Sequence, residues 1–248
     1  MRVAALYDIH GNLPALDAVL DELHREPVDL VVVGGDVFPG PMAGEALDLL
    51  LALDLPVRFI HGNGDRVTLD MAEGRTTDTI PEAGRPMIRW AAGRLRSEHR
   101  QVVGSWPGTI RIDIDALGEV LFCHATPRND REIFTRLTPD DRLRPVFANV
   151  RGRLVVCGHT HMQFDRWIDD LRVVNAGSVG MPFGEPGAYW LLLGPGVHLR
   201  RTVYDAAAAV DRIRATAYPQ ADEFANGSIL QPPSEETMLE LFAGSELK

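Results

Sequence analysis

The chain has 248 residues, enough for one large domain or two small ones, with 45% hydrophobic and 24% charged residues. With 35 acidic residues against 25 Lys and Arg, the formal charge of −10 argues against a stable complex with duplex nucleic acid. Only two cysteines, Cys123 and Cys157, are present, so a disulfide framework is excluded.

Arg2–Tyr7 is a short apolar run of the kind a buried strand uses. It stops at Asp8, too soon for a signal peptide, and no later run approaches the ~18 residues of a membrane span. The expectation is a soluble, cytoplasmic protein with no membrane partner. Leu13, Leu16, Val19, Leu20 and Leu23 then recur at helical spacing, with Pro14 in the first turn. Leu30–Val33 reads as a second strand, Met42–Leu53 as a second helix and Val57–Ile60 as a third strand. Strand, helix and strand joined by short connections imply parallel pairing and an α/β layer.

Val67 to Trp106 is less regular. Thr76–Gly84 reads as a loop and Met87–Arg100 as one helix with a solvated face of Arg89, Arg94, Arg96 and Arg100. Seven strands are expected next: Ile110–Ile114, Val120–Cys123, Leu154–Cys157, Gln163–Ile168, Arg172–Asn175, Tyr189–Leu193 and Val197–Val203. Asp205 caps a helix running to about Thr216, and a short helix starts at Ser234. One domain over 1–218 is expected, followed by an acidic helical tail over 219–248, packed on it or partly mobile.

Five segments place polar residues where an apolar strand ends. They are Asp8-Ile9-His10-Gly11-Asn12, Gly34-Gly35-Asp36, Gly62-Asn63-Gly64-Asp65, Cys123-His124 and Gly158-His159-Thr160-His161. The carboxyl ends of parallel strands form a ligand crevice, so separate strands can deliver these residues to one place. Oxygen and imidazole donors suit manganese, iron, zinc, nickel or magnesium rather than thiolate chemistry. Seven such donors are too many for one ion with an open position, and they suit two ions sharing a carboxylate.

This ordered set resembles the signature of the calcineurin-like metallophosphoesterase superfamily: Asp-x-His, Gly-Asp, Gly-Asn-His-Asp/Glu, His and Gly-His-x-His. The resemblance covers roughly residues 2–203. Asn175-Ala176-Gly177-Ser178-Val179-Gly180 resembles a turn of its small bacterial phosphodiesterase branch. The implied fold is α/β, with two face-to-face mixed sheets sandwiched by helices in four αββα layers. The implied ligands are Asp8, His10 and His161 for one metal and Asn63, His124 and His159 for the other, with Asp36 bridging. Two divalent ions are implied, manganese first, with iron, nickel, zinc or magnesium as alternatives.

The departure lies in the third motif, where Gly64 replaces the family's catalytic histidine and opens room beside the metals. Catalytic candidates are Asp65, Arg128 and His61. Arg128 lies four residues past His124 and reads either as a phosphate contact or as an ion pair with Asp130. His61 reads either as a structural histidine or as a substitute acid. Asn12 serves the turn and helix start, while His24, His99 and His198 read as surface residues. Trp167 and Phe183 read as packing residues, and the cysteines as small buried strand residues.

The implied function is a phosphoric ester hydrolase acting on a small phosphorylated substrate, a phosphodiester or phosphomonoester. Attack comes from a metal-bridging hydroxide, because two metals can activate a water and clamp the phosphate oxygens. An interaction scaffold on the same fold is the alternative, favoured only by Gly64. A metallo-β-lactamase type is excluded by the absence of an early His-x-His-x-Asp-His run.

Overall fold

The structure, a computed structural model, describes residues 1–75 and 82–247. The first three apolar runs form β1 (Val3–Leu6), β2 (Leu30–Val33) and β3 (Val57–Phe59), paired in parallel. Between them lie α1 (Leu13–Leu23), capped by the Asn12 side chain, and α2 (Ala43–Leu51). The second sheet uses β4 (Thr109–Ile114), β5 (Gly118–Cys123), β6 (Leu154–Cys157), β7 (Phe164–Ile168) and β8 (Leu171–Asn175). Its order is β4-β5-β6-β8-β7, with a parallel centre and antiparallel edges. The chain then returns to the first sheet through β9 (Ala188–Leu193), antiparallel to β1, and β10 (Val197–Thr202).

Side-chain alternation along β1 explains the layering. Val3, Ala5 and Tyr7 face Phe122, Val156 and Val174 of the other sheet, while Ala4 and Leu6 pack against α1 and α2. The outer face of the second sheet, including Cys123, Val155 and Cys157, packs on α6 (Asp140–Phe147). The two sheets are therefore face to face with helices outside, the expected fold. Cys123 and Cys157 are free and buried, as small strand residues.

The middle of the chain differs from its sequence reading. The third motif itself begins a helix, α3 (Asn63–Ala72). The single helix expected over Met87–Arg100 is two, α4 (Arg85–Ala92) and α5 (Ser97–Gly104), because the chain turns at Gly93 to bury Leu95. Arg94 lies over the Trp90 ring, and Arg96 pairs with Asp48. The loop expected over 76–84 falls outside the described residues for 76–81, and Glu82–Gly84 forms a short 3-10 turn. His99 is buried rather than exposed, with Nε2 2.9 Å from Asp48, and Trp167 is 58% exposed rather than packed.

After β10 come α7 (Ala206–Arg214), capped by Asp205, α8 (Ala221–Phe224), a π-helical turn over Ala225–Leu230 and α9 (Glu235–Ala243), capped by Ser234. Phe224, Ala225 and Ile229 pack with Val210, Ile213 and Tyr218. Glu246 is buried and accepts hydrogen bonds from Thr138 and Arg142. Among the described residues no helix is long and apolar enough to cross a membrane.

Candidate metal centre

All five polar segments follow the carboxyl ends of parallel-paired strands: β1, β2 and β3 in one sheet, β5 and β6 in the other. Because the sheets face each other, the five loops meet at one end of the sandwich. The turns that bring them together are tight. Asp8, His10, Asp36, His159 and His161 all have positive φ, between 46° and 68°. Non-glycine residues rarely adopt this region, and such strain persists where the surroundings fix it, typically at functional sites.

Two groups of donors converge. The ligand atoms of Asp8, His10 and His161 lie within 4.8 Å of one another, and so do those of Asp8, Asp36 and His124. Asp8 belongs to both groups, and Asp36 Oδ2, in the second, sits 3.5 Å from His124 Nε2 and also 3.7 Å from His10 Nε2 of the first. Asp8 Oδ1 is 3.4 Å from His161 Nε2 and 3.8 Å from His124 Nε2. His159 joins beside them, its ring centroid 5.1 Å from that of His124.

Each imidazole is oriented through its other nitrogen. His124 Nδ1 meets the Gly34 carbonyl at 2.9 Å, and His161 Nδ1 meets Met181 O at 2.7 Å. His10 Nδ1 meets Pro39 O at 3.3 Å, and His159 Nε2 meets Arg131 O at 3.2 Å. A backbone carbonyl behind a histidine fixes the tautomer and leaves the inward nitrogen free to ligate.

Asp8 Oδ1 is buried and has no hydrogen-bond partner, although Oδ2 accepts from the His159 amide at 2.8 Å. One end of the Asn63 amide lies 3.2 Å from His124 Nε2, 3.0 Å from His159 Nδ1 and 3.1 Å from the Asp130 carbonyl. A buried carboxylate oxygen with no partner, surrounded by imidazoles, suits a cation beside it. The seven residues therefore fit a hard or borderline divalent metal.

The electrostatics agree. Burial works against charge on His124, yet Asp36 and Asp8 outweigh it and hold the imidazole up at about 10. Burial likewise opposes charge on Asp36, but His124 and His10 keep it well below the usual carboxylate range. Burial, then the neighbouring His124, pushes His159 down to about 4, so its ring is neutral. A divalent ion held by these residues would supply positive charge to the two carboxylates and would compete with the imidazole protons.

Asp65, expected among the catalytic candidates, lies behind this cluster rather than in it. It is fully buried, and its oxygens accept from the amides of Asp36 at 2.8 Å, Gly62 at 3.0 Å and Phe38 at 3.0 Å. Burial and the adjacent Asp36 push its carboxyl up to about 7, against the pull of those N–H groups. These three hydrogen bonds tie the second motif to the third. A side chain is also excluded at two glycines here. A Cβ on Gly62 would lie 2.0 Å from Asp36 Oδ1, and one on Gly64 2.2 Å from the Phe38 carbonyl oxygen. The room expected beside the metals at Gly64 is therefore closed by the Phe38–Pro39 loop.

His61 and Arg128 line a cavity of about 420 Å³ on the His124 side. Arg128 pairs with Glu132, not with Asp130, which Arg66 holds in a two-bond contact at 2.8 and 3.0 Å. His61 Nδ1 has no hydrogen-bond partner. Asn175, Ser178 and Asn12 brace the loops. Asn175 donates to Gly158 O at 2.7 Å, Ser178 to Asp8 O at 2.7 Å and Asn12 to Gly180 O at 2.9 Å. Phe183, read as packing, stacks on His161 with 5.3 Å between centroids. The partner carbonyls of Met181 and Arg131 and the position of Phe183 gave no sequence signal, since each acts through tertiary contact alone.

The family described as the calcineurin-like phosphoesterase superfamily domain matches residues 1–193, and the chain belongs to it. The uncharacterized protein MJ0912 of Methanocaldococcus jannaschii is 29% identical over 196 residues, covering 73% of this chain and 76% of that protein. A metallophosphoesterase from Sphaerobacter thermophilus is similar at 25% identity and a TM-score of 0.72, over 91% of this chain and 97% of that one. The hypothetical protein PH1004 from Pyrococcus horikoshii OT3 shares the fold, with 23% identity and a TM-score of 0.76 over 94% and 99% of the two chains. The family is one of metal-dependent phosphoesterases, which makes a hydrolase the activity class of this chain.

Proposed function

We propose that the chain is a binuclear metal-dependent phosphoesterase acting on a small phosphodiester or phosphomonoester. The observation that carries this reading is the position of Asp36 Oδ2 between His10 and His124, one histidine from each donor group. His10, His161 and Asp8 would hold one ion, and His124, His159 and Asn63 the other, with Asp36 shared. Two divalent ions, manganese first, would supply a nucleophilic water at neutral pH and positive charge against the phosphate oxygens.

The chain's own residues do the rest. The carbonyls of Gly34, Met181, Pro39 and Arg131 hold the imidazoles in register, and Asp65 fixes the backbone that presents Asp36. Phosphoryl transfer needs little beyond positioning and charge. His61 lines the cavity on the His124 side and is the candidate to serve a departing oxygen, with its partnerless Nδ1 buried and burial lowering its pKa below the usual imidazole value. Arg128 borders the same space but is already neutralised by Glu132, which favours orientation over phosphate binding.

Gly64 is the one observation favouring a non-catalytic scaffold, and the complete donor set weighs against it. Metal-free protein loaded separately with manganese, nickel, zinc and magnesium decides the matter on an aryl phosphodiester and an aryl phosphomonoester. Turnover restored by metal is expected. Two bound ions without turnover on either ester would favour the scaffold.

A further inference from the structure

A second cavity, about 390 Å³, adjoins the cluster on the opposite side, where His10 forms part of its wall. The remaining walls are mainly apolar: Met87, Met181, Phe183, Tyr218, Phe224 and Pro233. Phe183 is the ring stacked on His161, so the apolar surface begins at the donor group itself. Tyr218, Phe224 and Pro233 lie beyond residue 193, outside the stretch the family match covers. Tyr218 and Phe224 are buried and packed edge to face.

The two cavities flanking the cluster differ in chemistry. The one on the His124 side carries His61, Arg66 and Arg128, whereas no lysine or arginine is among the described residues lining the one beside His10. An anionic group entering the latter would lose water and find no cation. Its volume suits a ring-sized group, within the range of small-molecule pockets. Glu223 also lines it, but from an exposed position.

We propose that this cavity is the subsite for the organic group of the ester, and that it takes an uncharged apolar or aromatic group. The inference rests on the phosphoesterase reading above. The segment after residue 193 thereby sets the substrate class, selecting esters of apolar or aromatic alcohols over those of anionic ones. Gly227 gives a direct handle on the cavity: it lines the wall, and a Cβ there would meet nothing within 4 Å.

The test is calorimetric binding of non-hydrolysable phosphonates to the full-length, manganese-loaded protein. Methylphosphonate, phenylphosphonate, 2-naphthylphosphonate and 2-(trimethylammonio)ethylphosphonate are compared. Phenylphosphonate is expected to bind about tenfold or more tighter than methylphosphonate, from the apolar area it buries, and naphthylphosphonate at least as tightly. In Gly227→Phe the phenyl-to-methyl ratio should fall to within about twofold. Gly227→Leu, with a smaller side chain, should lower the ratio by less.

Equal wild-type affinities for methyl- and phenylphosphonate would overturn the subsite, and that comparison needs no variant. Preference for the trimethylammonium compound, lost in Glu223→Gln, would overturn it in favour of a cationic group. Failure of every phosphonate to bind the metal-loaded protein would instead overturn the phosphoesterase reading, and this inference with it.

Discussion

The Phe38 carbonyl oxygen occupies the space that any side chain at position 64 would need, 2.2 Å from the place of its Cβ. Gly64 N also donates to Asp36 Oδ1 at 2.7 Å, so the residue holds the shared carboxylate through its backbone. Gly64→Ala should cost about 1–3 kcal/mol by overpacking, read from urea denaturation, and should lower metal retention. Gly64→His should restore no acid, because the ring cannot enter without displacing the loop. A stable Gly64→His variant with higher activity on poor leaving groups would show that the loop yields.

Asp65 acts through three backbone amides. In Asp65→Asn at least one of them faces an NH2 group and loses its acceptor. We expect a loss of about 1–3 kcal/mol in stability and weaker metal binding. With saturating metal, the KM for a given ester should stay near the wild-type value while kcat falls. Wild-type stability and metal affinity in Asp65→Asn would contradict the positioning role.

His61 is tested by varying the leaving group. If it serves the departing oxygen, His61→Ala should slow esters of poor leaving groups by ~10²-fold and barely affect nitrophenyl esters. A uniform small effect across the series would leave His61 a wall residue.

One acid-sensitive contact lies far from the metals. Burial raises Glu22, but hydrogen bonds from Thr202, at 2.5 Å, and Arg200 hold it below the ordinary carboxylate range. A depressed carboxylate stabilises the fold above its unfolded pKa and loses that contribution as pH falls through its folded pKa. Glu22→Gln should therefore be less stable than wild type at pH 7, by at most about 1 kcal/mol. The gap should close below the ordinary glutamate range. Urea midpoints at neutral and acid pH check this, and a gap that widens in acid would contradict it.

The strands and the five loops were legible because each apolar run ends abruptly in polar residues, as Leu6 gives way to Asp8 and Val33 to Asp36. What was missed obeys weaker local signals. In α3 the capping turn is the motif itself, so Gly62–Asp65 reads as a loop although Asp65 sits in the helix's first turn. In α6, Pro145 lies inside the helix and reads as a breaker. Asp65 looks like a catalytic acid in sequence, because nothing local reveals that its oxygens face backbone amides from another loop. The apolar cavity beside His10 was invisible, since its walls come from residues more than two hundred positions apart. His99 shows the same limit: a polar neighbourhood in sequence became a buried contact with Asp48 across helices.

The central claim is that one carboxylate serves both halves of the donor cluster. Its most direct measurement is the metal stoichiometry of Asp36→Asn against His161→Ala, each dialysed against manganese and assayed by elemental analysis. The account predicts about two ions in the wild type, one in His161→Ala, and loss from both sites in Asp36→Asn together with its activity. Retention of two tightly bound ions and full turnover in Asp36→Asn would contradict it.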